Sequence, residues 1–127
     1  MLKALLLISA ASGFIAVALG AFGAHGLKGK LPDNMMSVFE TGVQYQSIHT
    51  LAILATCLLS LHFGRGVWFQ YAGSSFALGI LLFSGSLYGL ALTGMRWLGP
   101  VTPLGGLFFL IGWALLLVAT IKHVSNQ

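Results

Sequence analysis

Long apolar runs broken by isolated charges form the dominant pattern of this chain, and the spacing of those charges sets its elements. Lys3, Lys28, Lys30, Asp33, Glu40, Arg65, Arg96 and Lys122 are its only Lys, Arg, Asp and Glu side chains. They leave uncharged stretches at 4–27, 41–64, 66–95 and 97–121. Each exceeds the roughly 20 residues that a helix needs to cross a hydrocarbon core of about 30 Å. Backbone groups in lipid must be paired inside the spanning structure, which admits only helices or closed barrels. A barrel strand alternates polar and apolar residues over about 10 positions. Ala4-Leu5-Leu6-Leu7-Ile8 and Leu115-Leu116-Leu117-Val118 do not alternate. The pattern therefore predicts an all-α integral membrane protein with a single domain over 1–127. Its architecture is an antiparallel bundle of four transmembrane helices, at about 4–25, 38–62, 67–93 and 102–122.

Composition sharpens this picture. The chain is 57% hydrophobic and 6% charged, against about 25% charged in an ordinary soluble domain. Its solvent is lipid. The net charge of +4 is split between the two ends of the bundle, with Lys3, Arg65 and Lys122 at one and Lys28, Lys30 and Arg96 at the other. No basic patch results, so nucleic acid is not expected as a partner. The even split also balances the positive-inside rule. An even number of spans puts both termini on one side, and the free amino group tips that side toward the cytoplasm. Met1-Leu2-Lys3 with small residues from Ala18 to Ala24 has some likeness to a cleaved signal peptide, but the apolar run is longer than an h-region. The single Cys57 excludes an intrachain disulfide and a multi-cysteine metal site.

Helix one carries Ser12, Ala16, Gly20 and Ala24 at four-residue intervals, a small-residue stripe of the kind that lets membrane helices approach. Gly29, Pro32 and Asp33 end it, and Asp33 is the expected N-cap of helix two. The pattern is helical from Asn34, so Met35, Met36, Val38 and Phe39 are expected at headgroup level. On helix two, Glu40, Gln44 and Ser47 fall within about 60° of one another, and Tyr45, His49, Thr56 and Ser60 form a second seam opposite. His49 lies about 13 Å inward of Glu40, near the middle of the bilayer, where a polar side chain should face protein or water. Trp68, Tyr71 and Trp97 fit interfacial aromatic belts at the two ends of helix three. Gly85 and Gly89 form a GxxxG helix-contact motif. Thr102 is the expected N-cap of helix four, with Pro103 at its first position.

His49 is the first candidate for chemistry. An interhelical hydrogen bond is its simplest role; proton relay, ligand binding and metal ligation are the alternatives. A bis-histidine haem site needs a second histidine at equal depth. His25, His62 and His123 all sit at helix ends, so no cofactor or metal is expected. An ion or headgroup site built from His25, Glu40 and Gln44, which share one membrane face, is a second candidate. A structural role for Glu40 near the start of helix two, favoured by the helix dipole and nearby cations, is the simpler alternative. There is no HExxH, CxxC or phosphate-binding loop, and Ser, His and Asp form no triad. No catalytic residue is assigned and no enzyme is expected.

Four segments in series resemble a known family. They are Gly20-Ala21-Phe22-Gly23-Ala24-His25-Gly26-Leu27, Glu40-Thr41-Gly42-Val43-Gln44-Tyr45-Gln46 with His49, Phe83-Ser84-Gly85-Ser86-Leu87-Tyr88, and Thr102-Pro103-Leu104-Gly105-Gly106. Together they resemble the YgdD-like proteins, small bacterial inner-membrane proteins with eukaryotic relatives, grouped as a domain of unknown function. The resemblance implies four helices in a bacterial plasma membrane and brings no activity with it. It draws attention to Gly26 with His25, Glu40, Gln44, Tyr45 and His49 where helices one and two meet, and these last five form the candidate ligand or proton site.

Two function classes follow. The first is a non-enzymatic membrane component that binds lipid, a small hydrophobic molecule or another membrane protein. The second is a small homo-oligomeric transporter or channel using the polar seam around His49. Four-helix exporters of this length carry a carboxylate deep in the membrane, and this chain has none there. The first class is favoured.

Overall fold

A computed structural model describes residues 1–64 and 66–124, and every regular element in them is helical. Arg65, one of the charges weighed above for orientation, lies outside the described residues. Helix α1 runs Leu2–Leu27, its last turn, Gly23–Leu27, widened to a π-turn. Helix α2 spans Asp33–His62. Helix α3 spans Val67–Thr93, with a π-turn at Ile80–Ser84. A short 3-10 turn at Arg96–Leu98 leads into α4, Val101–His123.

Consecutive helices are antiparallel, as their contacts show. Gly20 faces Val43 and Gly13 faces Thr50, so α1 descends as α2 rises. Ser84 meets Gly42 while Gly73 meets Thr56, which sets α3 against α2. Gly79 meets Phe109 and Gly112 meets Phe76, which sets α4 against α3. Helix α2 lies centrally, packed on α1 and on both halves of α3, whereas α4 packs along α3 and reaches α2 through the side chains of Phe109 and Trp113. Two apolar clusters fill the interior. One joins Leu5, Ile53, Cys57, Phe76 and Phe109, and the other joins Leu27, Phe39 and Ala91 toward the α1–α2 turn.

The helix boundaries have local causes. Pro32, with ψ at 151°, turns the chain into α2, so Asp33 is the first helical residue and not the cap. The Pro32 carbonyl accepts the first bonds, from Met35 and Met36. Likewise α4 starts at Val101 behind Pro100. Thr102 is thereby inside the helix, and its hydroxyl pairs with Ser86 at 2.6 Å instead of capping. Gly94 ends α3 in the left-handed region, φ 72°, a conformation open to glycine at no steric cost.

The small-residue positions divide. Ser12 and Ala16 are buried, Gly20 is half-buried and Ala24 is exposed. A strict four-residue step drifts about 40° per repeat, so the packed seam instead follows Leu5, Ser9, Ser12, Ala16, Gly23 and Leu27. Gly85 faces open space, because past the π-turn the buried side of α3 is carried by Ser84, Ser86 and Leu87. Gly89 is packed by Leu98 of the 3-10 turn. A backbone approach closer than at either of these lies elsewhere, where a Cβ on Gly105 would collide with the backbone of Phe83.

The outer surface is apolar, with Phe14 78% and Val17 74% exposed on α1, Leu81 69% on α3 and Leu110 68% on α4. Leu2–Leu27, Val67–Thr93 and Arg96–His123 are long and apolar enough to cross a membrane. Helix α2 is longer than α1 or α4 at 30 residues, but its first turns carry Asp33, Asn34, Ser37, Glu40 and Gln44 on the exposed side.

Candidate functional site

The core holds two polar clusters, and His49 anchors the first. Its imidazole is 4% exposed and stacks on Phe109 with ring centres 3.6 Å apart and planes within 7°. Phe76 closes a second side at 5.5 Å, and Tyr45 lies one helical turn earlier at 6.0 Å. The Trp113 indole N–H donates to Nε2 of His49 at 3.2 Å. Indole nitrogen is a donor only, so Nε2 is the unprotonated nitrogen. The ring hydrogen then sits on Nδ1, which donates to the Tyr45 carbonyl at 2.8 Å. Both nitrogens are thus committed, and the ring is held as a single neutral tautomer. With the Nε2 lone pair pointed at Trp113, neither a metal nor an incoming proton finds a free site without breaking that bond. Among the described residues, no three His, Cys, Asp or Glu side chains come together as a metal-binding group.

Gln46 anchors the second cluster and ties three helices together. Its amide Nε2 donates to the Ser12 carbonyl and the Ser12 hydroxyl, both at 3.1 Å. Its Oε1 accepts from the Tyr88 hydroxyl at 2.6 Å. Ser12 Oγ in turn pairs with Thr50 Oγ1 at 2.7 Å. Four side chains on α1, α2 and α3 therefore satisfy one another, with Ser12 and Gln46 at the floor of an outer opening of about 450 Å³. Further single bonds join neighbours: Ser84 Oγ donates to the Gly42 carbonyl and Ser75 Oγ to the Phe108 carbonyl, each at 2.7 Å. Measured interhelical bonds in membranes average about 0.6 kcal/mol each, so it is their number that fixes the packing. Among the described residues, the buried Ser60 Oγ and His123 Nε2 have no hydrogen-bond partner.

The five residues proposed from sequence do not converge. His49 and Tyr45 belong to the aromatic stack with Phe83 and Phe109, although Tyr45 keeps 38% exposure. Glu40 and Gln44 are exposed and line an opening of about 210 Å³ on the opposite flank, with Gly20, Gly23, Ala24, Phe39 and Val43. His25, in the π-turn of α1, is exposed and is not part of that lining.

Gln46, Tyr88 and Trp113 are the residues that sequence reasoning missed. Gln46 had a signal, since a glutamine within an uncharged stretch must find a partner in lipid. It falls between the two seams drawn on α2, on the buried line Phe39, Gly42, Gln46, His49, Ile53 and Thr56. Trp113 had none, because it resembles any lipid-facing aromatic until the register of α4 is known.

Residues 19–106 match the family described as Protein of unknown function (DUF423). The chain is 48% identical over 127 residues to the UPF0382 inner membrane protein YgdD of Escherichia coli, covering 97% of this chain and 96% of that one. It is 46% identical to the UPF0382 membrane protein SERP0230 of Staphylococcus epidermidis, over 98% of this chain and all of the relative. It is 42% identical to the UPF0382 membrane protein YwdK of Bacillus subtilis, over 97% of this chain and all of the relative. No solved structure matches it.

Proposed function

This chain belongs to the DUF423 family of proteins of unknown function, and we propose that it is a non-catalytic component of a bacterial inner membrane. In this reading it crosses the bilayer four times and binds a hydrophobic partner along its lipid-facing surface: a lipid, a small apolar molecule or another membrane protein. The termini lie in the cytoplasm.

The fourth span is α2, and its exposed face supports this. From Tyr45 to Leu61 the exposed residues are Tyr45, Ile48, Leu51, Leu54, Ala55, Leu58 and Leu61. That ribbon is about 25 Å long at 1.5 Å per residue, close to the hydrocarbon thickness of about 30 Å. Of the polar side chains between Gln46 and Ser60, Gln46, His49, Thr50, Thr56 and Ser60 are buried and Ser47 is half-buried. Over this segment α2 turns its polar side chains inward among apolar ones and shows an apolar face outward, and its first turns stand at headgroup level.

The observation that carries the functional reading is the closure of the polar core. His49 spends both ring nitrogens, and Gln46 spends its amide on Ser12 and Tyr88. A transport path needs polar groups free to exchange partners, and these are engaged with one another. The grooves that remain open lie on the outside, walled mainly by apolar residues. Native mass spectrometry of the full chain, released gently from its membrane, tests this. A stoichiometric lipid, small molecule or second protein is expected. A bare homo-oligomer that conducts ions when reconstituted would overturn it.

A further inference from the structure

One flank of the α1–α2 pair carries a row of openings that together make a furrow, the deeper two sharing Gly13, Thr50 and Leu51. Three openings of about 210, 190 and 440 Å³ follow one another along it. Their linings repeat every seven residues: Glu40, Ser47 and Leu54 on α2, and Gly20, Gly13 and Leu6 on α1. Seven residues are close to two helical turns, so the same edge of each helix returns at each step and the trough runs on. From Glu40 to Leu54 it covers about 21 Å, more than the roughly 15 Å depth of one acyl layer.

The chemistry changes along its length. Deeper down, the hydroxyls are already engaged, Ser47 with the Val43 carbonyl, Thr50 with Ser12 and Ser9 with the Leu6 carbonyl. An occupant there meets alkyl groups. At the mouth stand the exposed Glu40 and Gln44. Just beyond, Lys28 and Lys30 are exposed on the turn that follows Leu27, which packs with Phe39 beside Glu40.

We propose that this furrow holds one acyl chain of a phospholipid whose headgroup carries a primary ammonium, of the phosphatidylethanolamine type. The ammonium donates to the Glu40 carboxylate and the Gln44 amide oxygen, and the phosphate faces Lys28 and Lys30. A primary ammonium has three N–H donors and forms charge-assisted bonds to a carboxylate. A quaternary ammonium has no such donor, and the mouth offers it no aromatic cage. A glycerol headgroup carries its phosphate charge in the same place but offers Glu40 only neutral hydroxyl donors, whose bonds to a carboxylate lack the positive charge of an ammonium. The proposal rests on the reading of this chain as a membrane component with a hydrophobic partner, and it specifies that partner.

The test uses the full chain in bilayers of equal phosphatidylethanolamine, phosphatidylcholine and phosphatidylglycerol with identical acyl chains. Lipids retained per chain after mild detergent release are counted by native mass spectrometry. The expected result is one phosphatidylethanolamine per chain, in excess over the others by about tenfold, the yield of one net charge-assisted bond. In Glu40→Gln, an exposed change that leaves the packing alone, the excess falls to near parity. In Gly13→Leu, whose side chain enters the trough beside Thr50, retention is lost for all three lipids. Equal retention in the parent, or an excess that survives Glu40→Gln, overturns the headgroup assignment while the reading as a binding component stands. A second copy seated in the furrow does the same. No retained lipid, ligand or protein in any variant overturns both.

Discussion

Trp113 on α4 donates its indole N–H to Nε2 of His49 on α2, across 3.2 Å, and by doing so decides which nitrogen of the imidazole carries the hydrogen. The bond to the Tyr45 carbonyl follows from that choice. The most conspicuous polar residue of the chain is thereby a structural tie between α2 and α4. In the parent protein, ¹⁵N NMR should show His49 as the Nδ1–H tautomer, with Nε2 unprotonated. Trp113→Phe keeps the ring but removes the donor, at a cost of about 1–3 kcal/mol for the buried acceptor left unpaired. A lowered unfolding midpoint together with a mixed tautomer signal is the expected outcome.

Gln46 makes a prediction of its own. Gln46→Leu strands the Tyr88 hydroxyl and takes one donor from each Ser12 oxygen, the Ser12 hydroxyl keeping its bond to Thr50. At about 0.6 kcal/mol per interhelical bond, a loss of about 1–2 kcal/mol is expected. Tyr88→Phe in the same background should cost less than it does alone, because its partner is already gone. A double-mutant cycle on unfolding in mixed micelles measures that coupling, and additive effects would mean that the two side chains do not interact.

The glycines separate by position. Gly105→Ala forces a methyl onto the backbone of Phe83, and overpacking of this kind costs about 1–3 kcal/mol. Gly85→Ala points into open space, so its effect should stay within about 0.5 kcal/mol. Comparing the two unfolding midpoints tests the register of α3 against α4 directly.

The placement of α2 in the bilayer is accessible to labelling. In a Cys57→Ala background, Glu40→Cys should react with a membrane-impermeant maleimide from one side of the membrane. Leu54→Cys, on the exposed apolar ribbon, should react only after solubilisation. Ready labelling of both from the aqueous phase would remove α2 from the membrane.

Much of the fold was legible in the sequence because lipid imposes coarse rules. A run of uncharged residues long enough to span has few alternatives, so the positions of eight charges outlined four helices. Family membership was legible as well, carried by four ordered motifs. The boundaries shifted where prolines acted: Pro32 and Pro100 start helices that Asp33 and Thr102 were expected to cap. The site was less legible. Angular position set Glu40 and Gln44 on one seam of α2 and Tyr45 and His49 on another, and only the family motifs drew them into one cluster; α2 is enclosed from several directions and its flanks meet different neighbours. Tyr45 and His49 turn to the aromatic rings of α3 and α4, whereas Glu40 and Gln44 turn to α1. Which flank meets which helix depends on tertiary packing, and a single helix's periodicity does not contain it.

The central claim is that the polar core is closed and that function resides on the lipid-facing surface. Flux measurement in vesicles containing the full chain, under an imposed proton or cation gradient, tests it most directly. The expected result is flux equal to that of empty vesicles, in the parent and in His49→Ala alike. A pH-dependent flux in the parent that disappears in His49→Ala would contradict the account and make His49 part of a transport path.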